Sequence, residues 1–332
     1  MRNSVVSALI AALVWALLPL LSLGTGGLPA HPGSVSAPPP AQTEGQEPPE
    51  DPLPQPVSGF DAGYRLPVLR EGRTESMPLD RYLTGVLLSE LPASFSDETR
   101  KAQAVACRTY ALRSCAHPRH EGAALCTDSV CCQGWRDPDS VSPALLAQAE
   151  AAVRATDGLC IRYQGALIDA TFFSCSGGRT EDAAAVWGSE LPYLRSVESP
   201  GEEMAAHFSD ELRLPLEDFR ARLLELDPEA ELSGDPTGWI GDIRKTPGGG
   251  VDEILLGGRP FRGTQLRKAF QLRSTAFTLR LNTQEAVFTT RGFGHRVGMS
   301  QYGAEAMARA GNDYVTILKW YYSGVDILPE AP

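Results

Sequence analysis

Glu90 ends an apolar stretch with the spacing of a helix: Leu79, Leu83 and Val86 fall on one stripe of a 3.6-residue period, and Pro92 stops the run. Eleven residues make almost three turns, so the glutamate points within about 20° of Leu79, into the apolar side. A carboxyl group held there loses solvation, which favours its neutral form and suits a general acid. The plainer reading is a glutamate turned to solvent or paired with Arg81 or Arg100. Lys101 and Arg108, seven residues apart, share one face of a second helical segment. They could steady an anionic substrate, or form an ordinary solvated face.

Two further clusters carry chemistry. Arg291-Gly292-Phe293-Gly294-His295-Arg296-Val297-Gly298-Met299-Ser300-Gln301-Tyr302-Gly303 joins several glycines, a histidine and an arginine to a serine fit to cap a helix. Glycines let backbone approach a ligand, and a helix amino terminus offers free amides; such turns also serve as structural corners. His120, Cys126 and Cys132 recur at intervals of six, a spacing that can wrap a tetrahedral zinc ion, with His117, Cys131, Cys115 or water as fourth ligand. Oxidation to disulfides suits the same loop in an exported protein, although seven cysteines leave one thiol over.

The elements that must position these groups follow from the pattern. Helices are expected from Leu79 to Glu90, from Ser94 or Ser96 to about Ser114, from Pro143 to Thr156, and from Leu216 to Glu225. Two more run from Gln301 to Ala310, begun by Ser300, and from Tyr314 to Tyr322, begun by Asp313. Strand formers mark 159–163, 166–173, 193–198, 253–256, 277–281 and 285–289, and Gln164-Gly165 reads as a tight hairpin setting Cys160 opposite Asp169. The polar stretch 200–250 gives no chemistry. The whole reads as one large α+β domain of helices and mostly antiparallel strands over 59–327.

Ahead of it, residues 5–23 carry no charge and as a helix would reach roughly 28 Å, enough to span a bilayer. Arg2 precedes the run and the next charge is Glu44, which places the remainder outside the cytoplasm as a single-pass membrane protein. A cleaved secretory signal over 1–23 is the alternative, with Ser22-Leu23-Gly24 as its cleavage region. Residues 24–58, rich in proline and glycine, read as a disordered tether. A net charge of -11 excludes general affinity for nucleic acid.

Taken together, Met77-Pro78-Leu79, Glu90-Leu91-Pro92-Ala93-Ser94-Phe95, Lys101-Ala102-Gln103-Ala104-Val105, Arg108-Thr109-Tyr110-Ala111-Leu112, Cys132-Gln133, Ser174-Cys175-Ser176-Gly177-Gly178, Val186-Trp187-Gly188, Leu272-Arg273-Ser274-Thr275 and the glycine-rich run resemble the SpoIID/LytB family. The resemblance implies a lytic transglycosylase that cuts glycan strands lacking stem peptides, with an amidase and a membrane scaffold protein as partners in septal wall degradation and forespore engulfment. It puts Glu90 at the catalytic glutamate, and Lys101, Arg108, Ser176, His295, Gln301 and Tyr302 around the cleft. It also favours metal over disulfides at His120, Cys126 and Cys132, a structural zinc spacing found in some members. Because the family includes amidase enhancers, a non-catalytic peptidoglycan-binding activator is the competing expectation, and a zinc hydrolase a third. Cys107 stands where alanine is usual and Arg296 where glycine is usual, a departure that bears on the local turn.

Overall fold

The computed structural model describes residues 52–330. The expected membrane segment, 1–23, and most of the expected tether lie outside these residues; among those described, no helix is long and apolar enough to cross a membrane. The end of the tether, 52–58, has no regular structure, yet it is not free throughout: the Val57 N–H donates to the Asp157 carbonyl at 2.8 Å.

In chain order, helix α1 (Phe60–Gly63) leads into the hairpin of β1 (Arg65–Arg70) and β2 (Arg73–Pro78), then α2 (Leu79–Glu90) and the long α3 (Asp97–Ala116). Strand β3 (Leu125–Cys126) pairs in parallel with β1. Next come α4 (Pro143–Ala155), β4 (Leu159–Tyr163), β5 (Ala166–Leu167), β6 (Phe172–Phe173) and α5 (Ala183–Trp187). A module of β7 (Ser209–Pro215), α6 (Leu216–Leu226), β8 (Ile240–Lys245), β9 (Val251–Leu256), β10 (Arg259–Arg262), α7 (Gly263–Phe270), β11 (Phe277–Leu281) and β12 (Glu285–Arg291) follows. Strand β13 (Met299–Ser300), α8 (Gln301–Arg309), α9 (Tyr314–Tyr321) and β14 (Asp326–Pro329) close the chain. The mixed α+β architecture and mainly antiparallel pairing agree with the sequence reading; β1–β3 and β6–β13 are the parallel pairs.

Helix α3 is the axle. Ala104, Cys107 and Ala111 pack into one core with α2 and α4, while Ala102, Val105 and Ala106 pack into a second with β4, α9 and β14. Buried on most of its sides, it carries small residues that let its neighbours approach closely. A third core belongs wholly to the inserted module, where Phe219, Phe270, Phe277 and Phe288 pack ring to ring.

Helix ends follow local chemistry. The Ser300 and Asp313 side chains accept from Gly303 and Thr316 N–H as their caps. Pro78 immediately precedes α2 at its N-cap position. The Gln164-Gly165 hairpin has positive φ at both residues, 49° and 81°, as a type I′ turn requires, and pairs Arg162 with Leu167 in the expected register. Three strand expectations change. The expected 166–173 strand divides into β5 and β6 around a turn in which Thr171 N–H bonds the Asp169 carbonyl. Residues 193–198 form no strand and contribute a single isolated bridge, Glu198 to Arg179. Strands β7 and β8 arise inside the polar 200–250 stretch, where largely exposed side chains leave little apolar pattern to mark them.

Candidate active site

Glu90 is the last residue of α2, whose final turn closes when Leu91 N–H bonds the Leu87 carbonyl. One carboxylate oxygen accepts the Gly134 N–H at 2.9 Å. Burial raises the Glu90 pKa above the ordinary glutamate value; the Gly134 amide and the nearby Gln301 side chain pull it down by less. A Cβ on Gly134 would lie 2.7 Å from Ser89 Oγ and 3.0 Å from Glu90 Oε1, so any larger residue there presses on the acid. Gln301, which opens α8, keeps its buried Nε2 without a hydrogen bond. The next residue, Tyr302, sets its ring edge-on against Phe95 at 5.1 Å, in the loop that follows Glu90.

Behind the acid, Cys107 is flanked by Gln103, whose Nε2 donates to its sulfur at 3.2 Å, and by Gln133, whose Oε1 accepts from Tyr82 at 3.0 Å. Gln103 Oε1 and Gln133 Nε2 are both buried and unpartnered. Nothing in the spacing pointed to Gln133 or Gly134 beyond their place after Cys132.

Glu90, Gln301 and Tyr302 therefore come together, whereas Arg108 and Ser176 are fully buried on carboxylates of their own. Arg108 is fully buried in an ion pair with Asp61 at 2.6 Å, its remaining N–H groups on Thr156 Oγ1 and the Val153 and Leu159 carbonyls. Lys101 pairs with Glu98 at 2.5 Å and lies over the Tyr314 ring. Ser176 is buried, its N–H and hydroxyl both donating to Glu202 at 2.8 Å. That carboxylate also accepts from Gly177 N–H, Ser199 and Ser300, so it welds the Ser174–Gly178 turn to the start of α8. His295 sits between Phe173 and Trp187; burial and the nearby Arg267 push its pKa down to about 4, so it is neutral at physiological pH.

Arg296 adopts φ 68°, the left-handed conformation that explains a usual glycine there. Its guanidinium compensates by pairing with the buried Glu181 at 3.1 Å and bonding the carbonyls of Ser176, Arg179 and Gly248.

The cysteine loop gathers four ligands. His120, Cys126, Cys131 and Cys132 place their ligand atoms within 4.8 Å of one another. His120 Nε2 lies 3.6 Å from Cys131 Sγ and 3.5 Å from Cys132 Sγ, and the two sulfurs are 3.9 Å apart. A tetrahedron with zinc–sulfur bonds of about 2.3 Å has edges near 3.8 Å, so the set fits that ion. All seven cysteines, each among the described residues, are free thiols.

Comparison with known proteins agrees with this layout. Residues 70–163, which hold Glu90, α3 and the cysteine loop, match the family described as stage II sporulation protein, SpoIID. Stage II sporulation protein D of Bacillus amyloliquefaciens is 35% identical over 312 residues, 90% of this chain and 86% of that protein. Its counterpart in Bacillus subtilis is 34% identical over 275 residues, 79% and 78%. The amidase enhancer of Bacillus subtilis is 28% identical over 303 residues, covering 74% of this chain but 40% of that longer protein. On identity and coverage of this order, the chain belongs to the SpoIID family of stage II sporulation protein D.

Proposed function

We propose that this protein is a lytic transglycosylase of peptidoglycan, cutting glycan strands that have lost their stem peptides during sporulation, at the outer face of a membrane to which residues 1–23 hold it. The observation that carries the proposal is Glu90: a partly buried carboxyl at the end of an apolar helix face, its pKa raised by desolvation and one oxygen held by a backbone amide. A hydrolase of the two-acid kind needs a second placed carboxylate, whereas this reaction needs one. Glu90 protonates the departing glycosidic oxygen. The resulting carboxylate, steadied by the Gly134 N–H, takes the proton of the sugar's C6 hydroxyl as that oxygen closes on the oxocarbenium-like carbon. Gln301, whose side chain lies at the carboxyl, supplies a polar contact beside the acid.

His120, Cys126, Cys131 and Cys132 would hold zinc as a structural cross-link, since four protein ligands leave no open position for a reacting water. Their role is to fix the loop whose next residues, Gln133 and Gly134, meet Glu90. Mass spectrometry of denuded strands after digestion tests the reaction: 1,6-anhydro-muramoyl ends are expected, and ordinary reducing ends alone would mean hydrolysis.

The likeness to an amidase enhancer favours an amidase as working partner. It also supports a second reading, in which the cleft only binds glycan and activates that amidase. Full function in a Glu90→Gln protein that still binds strands would select the second reading.

A further inference from the structure

A cavity of about 340 Å³ lies where the inserted module meets the glycine-rich turn, lined by Thr264, Arg267, Lys268, Gln271, Thr275 and His295. We infer that this cavity is a carboxylate subsite, in which Arg267 and Lys268 hold the free lactyl carboxylate of a muramoyl residue; the assignment rests on the glycan substrate proposed above.

Arg267 is the informative residue. It is half-buried, yet among the described residues no carboxylate lies within 4 Å of it and its guanidinium makes no hydrogen bond. Burial alone lowers its pKa, with no anion acting the other way. Arg296 is desolvated too, but Glu181 and Glu202 offset the cost. Basic residues in the last turn of a helix commonly serve its dipole. Here the carbonyls of Arg267 and Lys268 already accept N–H groups from Leu272 and Gln271, and that service does not require a cation to face a cavity. A guanidinium with its donors unmet, in a chain of net charge -11, is a receptor for an anion.

The rest of the lining selects the kind of anion. His295 is neutral and accepts the Val297 N–H through Nδ1, so it adds polarity without charge. Trp187, 43% exposed and 5.5 Å from the His295 ring, offers an apolar face of the kind sugars stack on. Thr264, Thr275 and Gln271 add groups for hydroxyls. In intact peptidoglycan the lactyl carboxyl is tied up as an amide to the stem peptide. Cleavage of that amide frees a carboxylate, so a subsite that requires the charge would distinguish stripped strands from intact ones.

Binding of denuded strands to the full chain is measured in the Glu90→Gln background, which removes cleavage, against the same strands with their carboxylates converted to methylamides. Loss of a charge-assisted pair weakens binding by roughly tenfold or more. The native strand should therefore bind at least that much tighter than the amidated one, and Arg267→Gln should abolish the difference. Equal binding of the two strands overturns the subsite without relying on any substituted arginine, as does undiminished discrimination by a folded Arg267→Gln protein. Anhydro ends are read separately in the unsubstituted protein: their absence with carboxylate dependence intact sinks the transglycosylase chemistry and leaves the subsite standing.

Discussion

Arg108→Met should destabilise the fold rather than disable its chemistry. Arg108 is 0% and Asp61 2% exposed, with guanidinium–carboxylate contacts of 2.6 and 2.8 Å. Removing the cation strands a buried carboxylate, a loss of about 3–5 kcal/mol, against a total stability of roughly 5–15 kcal/mol. At about 2–4 °C per kcal/mol for a domain of this size, the melting temperature falls by roughly 6–20 °C. Burial is the largest influence on the Asp61 carboxyl and its pKa stays raised despite Arg108, while joint replacement of a buried ion pair by apolar residues is often close to neutral. Asp61→Leu combined with Arg108→Met should accordingly recover most of the loss. The sign of the pH effect follows. Without Arg108 the folded-state pKa of Asp61 rises further, so the stability deficit is largest at neutral pH and shrinks as acid protonates the carboxyl. Thermal melts by circular dichroism at several pH values, with glycan cleavage measured below the melting range, make the test. An Arg108→Met protein with an unchanged melt and no activity would refute the reasoning and return the arginine to the substrate.

Glu90→Gln should cut glycan cleavage by roughly 10²–10⁴-fold, read from anhydro ends. Its raised folded-state pKa favours the fold below the unfolded glutamate pKa and loses that advantage as pH rises through the folded value, so the amide should melt higher than the parent at neutral pH and alike in acid; a lower melt at neutral pH would contradict this. Gly303→Ala would put a Cβ 2.1 Å from Tyr321 Oη and 2.2 Å from Ser199 Oγ, an overpacking cost of about 1–3 kcal/mol or more in urea titration. Zinc chelation should lower the melting temperature, and Cys131→Ser should weaken zinc affinity at least roughly tenfold by metal-competition titration; loss of cleavage with no change in the melt would point instead to a catalytic ion.

The helices were legible because each carries its own punctuation: Ser300 and Asp313 cap, Pro92 stops, and Leu79, Leu83 and Val86 keep one period through to Glu90. Glu90 could be found for the same reason, its direction being fixed by the helix it ends. Partners distant in sequence were not legible. Arg108 meets Asp61 across 47 residues and Ser176 meets Glu202 across 26, so cations and hydroxyls that matched a cleft pattern proved to have buried carboxylates of their own. Seven-residue spacing places Lys101 and Arg108 on one helix face without saying what packs there, and α3 is covered on nearly every side. Strands β7 and β8 escaped notice because edge positions with exposed side chains leave little alternation to read.

Ser209 and Arg291 face each other in the register of β7 and β12, and Gly292 N–H reaches the Phe208 carbonyl. The inserted module thus enters and leaves the body of the protein at a single doorway. A short turn could bridge that gap at little entropic cost. Shortening, exchange or duplication of the module would leave Glu90, Gln301 and the cysteine loop untouched, while Arg267 and Lys268 would depart with it. Preference among wall polymers could in this way diverge between lineages independently of the proton donor.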